Sequence, residues 1–135
     1  MSDSTRERYT EEKPTHAEAS KQWLAHVAKE FNSETKRAIE GAIYGIMGGE
    51  VLKAFHELLK ERYHITPDEI PHRVDAVFEI LEHTFGLKGA RTISRAIAKR
   101  LYYRLNLQFV ARPDYRLQDY LEQAKKELKL QTQAS

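Results

Sequence analysis

The 135-residue chain contains no cysteine. That absence removes disulfide frameworks, thiolate zinc sites, covalent c-type haem attachment and thiol catalysis. Long apolar runs are missing too: none approaches the roughly 18 residues that suggest a membrane span. A strong charge of either sign is also lacking, since 22 basic residues face 20 acidic ones for a formal charge of +2. Such a balance disfavours a general polyanion binder and leaves room only for a local basic patch. The opening stretch MSDSTRERYTEEKP has no apolar core and does not read as a signal peptide, so the expected location is the cytosol. Glycine is scarce, and four of the six fall in one stretch, GAIYGIMGGE at 41–50.

What remains is a chain with 41% apolar residues, enough at this length for one buried core. Residues 1–14 are polar and mixed in charge, and Pro14 closes them. They read as a disordered tail or linker, with a single helical domain over 15–131.

Apolar residues then recur at helical spacing. Thr15 with Glu18 resembles a capping box, and Trp23, Val27 and Phe31 follow in a first helix, about 16–31. Asn32 and Ser33 are good capping residues, and a second helix runs from there to about Met47. Gly48 and Gly49 interrupt it, and a third helix, about 50–63, carries Val51, Phe55, Leu58 and Leu59 on one face. Thr66 and Glu69 form another capping box, with Pro67 at the first helical position and Pro71 starting or bending the next helix. That helix places Val74, Val77, Phe78, Leu81 and Phe85 on its apolar face and ends at Gly86, read as a left-handed cap. A fifth helix, about 90–105, keeps Ile93, Ile97, Leu101 and Leu105 in register. Pro113 and Asp114 open a sixth, with Leu117, Leu121, Ala124 and Leu128. Only LQFVA, 107–111, reads as an extended connection. The predicted fold is an all-α compact bundle of five or six helices.

Glycine costs a helix interior about 0.8–1 kcal/mol relative to alanine, so the 41–50 cluster needs a cause. A phosphate loop fits poorly, because Glu50 would compete with the anion for the helix start and Lys53 comes too late. Close packing fits better. Ala38, Gly41, Ala42 and Gly45 share one narrow stripe, which lets a second backbone approach, from this chain or from a second copy. Gly48 and Gly49 then stop the helix.

The most unusual segment is GLKGARTISRAIAKRLYYRL, 86–105, with six cations and no acid. Lys88, Arg91, Arg95 and Lys99 form one stripe that includes Tyr102, while Arg100 and Arg104 flank the apolar side. Residues 57–85 hold seven acids against three basic residues. This segregation suits a docking surface for an acidic protein partner or for nucleic-acid phosphates. The competing reading is a solvated face whose cations meet Glu79, Glu82 or their neighbours in weak surface pairs.

Catalytic and metal patterns are thin. Glu61 and His64 have the Glu-x-x-His spacing of di-iron bundles, but no second such pair exists and both fall on a polar face. Nothing suggests a nucleophilic triad. No metal or cofactor is therefore expected, a haem or small molecule held between helices being the third alternative.

From about Ile39 to Leu107 the motifs run GGEVLKAFHELLKERYHITPDEIP, then VFEILEHTFGLKGARTISRAIAKRLYYRLNL. In order and punctuation they resemble a family of small archaeal helical domains, the Nitrosopumilus-type output domains of signal-transduction proteins. The resemblance implies an interaction or regulatory module of a prokaryotic cytosol, without catalytic residues. The sequence thus leads to a non-enzymatic regulatory or protein-interaction module, self-associating or bound to an acidic partner. Nucleic-acid binding through the basic helix is the alternative.

Overall fold

The structure, a computed structural model, describes residues 16–134. The expected tail at 1–14 lies outside them, as does Thr15 and with it the first capping box. Among the described residues every regular element is helical, so the fold is all-α. Helix α1 spans His16–Met47, α2 Gly49–Tyr63, a 3-10 turn Pro67–His72, α3 Val74–Arg104 and α4 Leu117–Ala134. The chain divides into two units within α1, one up to Phe31 and one from Asn32 onward. In the first, Trp23 is 53% exposed although its spacing predicts a core position, and its ring lies 6.2 Å from that of His26.

Asn32 and Ser33 do not cap a second helix, because α1 runs through them unbroken. Each costs only about half a kcal/mol inside a helix. Against that cost stands a buried face that begins at once with Thr35, Ala38, Ile39, Ala42 and Ile43. The helix ends where the glycine pair predicts, at Gly48, whose φ of 93° and ψ of 172° only glycine adopts readily.

Helix α2 buries Phe55 and Leu59. It closes on His64, which takes the left-handed conformation at φ 56°. The amides of His64 and Ile65 donate to the carbonyls of Lys60 (3.0 Å) and Leu59 (3.1 Å). His64 is therefore the C-terminal cap of α2. At the Thr66 step the Glu69 carboxylate accepts from the Thr66 amide at 2.8 Å and its hydroxyl at 3.1 Å, as the capping box predicts. The prolines hold this turn as a 3-10 helix that buries Ile70, and α3 starts afterwards at Val74.

Two expected helices merge into α3. Gly86 alone departs from helical dihedrals, at φ 77° and ψ 170°, so the chain kinks there and resumes its helix at residue 87. The neighbouring Gly89 allows the kink to be tight: a Cβ on it would stand 2.7 Å from Cβ of Phe85. Both halves of α3 feed one core, with Val77, Phe78 and Leu81 from the first and Ile97, Ala98 and Leu101 from the second. Phe85 leaves that face and is 42% exposed.

Residues 107–116 have no regular structure apart from a turn at Pro113 and Asp114. Helix α4 begins at Leu117, later than the proline suggests, with the Asp119 carboxylate accepting from the Arg116 amide at 2.8 Å. It packs on α3 through buried Leu117, Tyr120, Leu121 and Ala124.

Candidate functional site

From Gly86 to Pro113 the chain carries no acidic residue, whereas the first half of α3 carries Asp75, Glu79 and Glu82. The kink therefore joins an acidic half-helix to a basic one. At 100° per residue, Lys88, Thr92, Arg95, Lys99 and Tyr103 line a single row on the basic half. Lys88, Thr92 and Lys99 are exposed and Arg95 is half-buried.

Lys88, Arg91, Arg95, Lys99 and Arg100 make no ion pair among the described residues, although the chain is rich in carboxylates. Glu79, one of the expected partners, instead accepts from the Tyr63 hydroxyl. That contact, first of all, pushes the Tyr63 phenol up from its ordinary value. Among the described residues Arg95 reaches only the Thr92 hydroxyl, at 3.5 Å, and that hydroxyl in turn donates to the Lys88 carbonyl at 3.0 Å. Arg91 leans inward, and its Nε is buried with no hydrogen-bond partner among the described residues.

Tyr102 does not belong to the exposed row. Only 3% of it is accessible, and its hydroxyl donates to the Tyr120 carbonyl at 2.7 Å. Burial, the largest influence, pushes its phenol far above the ordinary value, so it stays a protonated donor. Tyr102 stands edge-on to Phe109 at 5.5 Å; Phe109 meets Tyr120 at 5.6 Å, and Tyr120 meets Tyr115 at 5.0 Å. This cluster fastens the 107–116 segment to the core, where the sequence suggests only an extended connection. The exposed aromatic of the row is its neighbour Tyr103, 86% accessible. One signal could have found it: Tyr103 lies four residues after Lys99, on the same helical face.

The glycine face of α1 has a definite occupant. A Cβ on Gly41 would lie 2.9 Å from Nη1 of Arg100, and one on Gly45 would lie 3.0 Å from Nη2. Ala38 and Ala42 turn to the core and are buried. Thus the four small residues split into two roles, and a guanidinium rather than a second backbone lies over the glycines. One turn further on, Arg104 donates through Nε to Glu34, which also has Arg37 Nη1 at 4.0 Å. Residues 100 and 104 of α3 thus meet residues 41–45 and 34 of α1 in reverse order, so the two helices run antiparallel along a shared seam.

At the end of that seam Glu34, Tyr103, Arg104, Asn106 and Leu107 line an open hollow of about 510 Å³. Asn106 sits at φ 60°, a left-handed position that asparagine tolerates, and its amide donates to the Tyr103 carbonyl at 3.1 Å. The apolar crevice between α1, α2 and α3, bordered by Met47, Val51, Phe55, Leu58, Ile80 and Phe85, holds about 110 Å³. That is below the roughly 300–1,000 Å³ of ordinary ligand pockets and too little for a haem. Among the described residues no group of three or more histidine, aspartate or glutamate side chains could hold a metal ion, and no helix is long and apolar enough to cross a membrane. Comparison of the chain with family models, curated proteins and solved structures finds no match.

Proposed function

We propose that this chain is a non-enzymatic interaction module that docks an anionic partner on the basic half of α3. One observation carries the reading: five cations, Lys88, Arg91, Arg95, Lys99 and Arg100, lack a carboxylate partner among the described residues, which have acids to spare. Like charges at helical spacing repel one another, typically by a few tenths of a kcal/mol per pair. A partner that supplies the missing negative charge relieves this repulsion and gains the attraction. The resemblance of residues 39–107 to small archaeal output domains accords with a regulatory role in a prokaryotic cytosol.

The glycine face speaks for binding by charge rather than by bare helix contact, because Arg100 already covers Gly41 and Gly45. The test is charge reversal. Lys88→Glu with Lys99→Glu alters two exposed residues, so the fold should keep its melting temperature. Retention on a polyanionic column such as heparin should collapse in the variant, and wild-type retention should fall steeply with salt. Equal retention of the two proteins would remove the reading.

A further inference from the structure

Resting on that reading, we infer that the anionic partner is a single-stranded nucleic acid, with its phosphates along Lys88, Arg95 and Lys99 and a base stacked on Tyr103 beside the hollow. Three features meet at one end of α3. The first is the row itself, in which cations stand on one helix face over about 16 Å from residue 88 to residue 99, at 1.5 Å per residue. The second is Tyr103, one turn past Lys99, whose ring is 86% accessible and contacts no other ring among the described residues. Every base has a π-face that can stack on such a ring.

The third is the hollow, which Tyr103 borders together with Arg104, Asn106 and Glu34. A base resting on Tyr103 meets there a guanidinium, a carboxamide and a carboxylate, the donor and acceptor groups that read base edges. Glu34 does not repel the strand as a free carboxylate would, because Arg104 donates to it and Arg37 stands 4.0 Å away. An intact duplex keeps its bases stacked inside and cannot offer one to Tyr103. The site therefore selects single strands.

The experiment compares three fluorescent probes on the full chain at about 50 mM salt: an oligo-dT of roughly twelve nucleotides, the same strand in duplex, and an oligo-glutamate of equal charge. The single strand should bind most tightly. Tyr103→Ala should weaken it about tenfold, the loss expected for one stacked base, with no change in its salt slope. Tyr103→Trp should retain binding. Lys99→Ala should lower that slope by about 0.7, the share of one phosphate contact on a single strand. Equal or tighter duplex binding, or indifference to Tyr103→Ala, would overturn the inference. Preference for oligo-glutamate would also overturn it while leaving the interaction-module reading in place, and failure of all three probes to bind would sink both.

Discussion

Tyr102 donates its hydroxyl hydrogen to the main-chain carbonyl of Tyr120 across 2.7 Å, linking the basic half of α3 to the first turn of α4. Tyr120 continues the relay, since its own hydroxyl accepts from the Arg112 amide at 2.9 Å and lies 3.0 Å from the Arg112 carbonyl. Two phenols thus hold a segment without regular structure against two helices. Loss of the Tyr102 hydroxyl removes one hydrogen bond to a carbonyl that keeps its place in the α4 ladder, whereas loss of the Tyr120 hydroxyl takes the partner from the half-buried amide and carbonyl of Arg112. Tyr102→Phe should cost about 1 kcal/mol and Tyr120→Phe about 1–2 kcal/mol, because the second frees both an amide and a carbonyl. Urea denaturation should report lower midpoints with unchanged slopes. Unaltered midpoints in both variants would mean that the aromatic packing alone holds the segment.

The seat of Arg100 makes an unusual forecast for the glycines beneath it. A helix interior gains about 0.8–1 kcal/mol when glycine becomes alanine. The added methyl would meet only Nη1 or Nη2 of Arg100, at 2.9 Å over Gly41 and 3.0 Å over Gly45. Those atoms are the far end of a flexible, exposed side chain that can swing aside. Gly41→Ala and Gly45→Ala should each therefore raise the melting temperature by a few degrees. A fall instead would show that the guanidinium is fixed in its seat and stabilises the α1–α3 seam.

The capping box at Thr66 sets a pH dependence. Hydrogen bonds from the Thr66 amide, first, and from its hydroxyl hold the Glu69 carboxyl below its ordinary value near 4.5. The ionised form is the one the fold prefers, so its contribution is present above that ordinary value and disappears as pH falls through the lowered one. Wild type should exceed Glu69→Gln in thermal stability at neutral pH, and the gap should close on acidification. A gap of constant size would place the effect in packing rather than in charge.

Local chemistry in the sequence foretells much of this fold. Phe55 and Leu59, Val77 and Leu81, and Ile97 and Leu101 all lie in the core where their spacing puts them, and Gly48 stops α1. Signals that depend on a rival force fare less well. The capping preferences of Asn32 and Ser33 yield to the buried face that follows them. The row of cations is legible, but the choice between Tyr102 and Tyr103 is not. These neighbours point about 100° apart, and the line along which α4 docks decides which is covered. Nor does any spacing rule place Arg100 over Gly41, or Arg104 on Glu34 seventy residues away. Contacts of that kind arise only once helices pack.

The bend at Gly86 separates two properties that most positions confound. A Cβ added there would meet nothing within 4 Å, so the position has room for a side chain. Its dihedrals, φ 77° and ψ 170°, nevertheless lie where residues with an L-configured side chain are strained by about 1–3 kcal/mol. Gly86→Ala should lose that amount without any clash, and larger residues should lose little more. At residue 86 handedness, rather than volume, limits what the chain accepts, so a series of substitutions there would measure backbone strain free of packing.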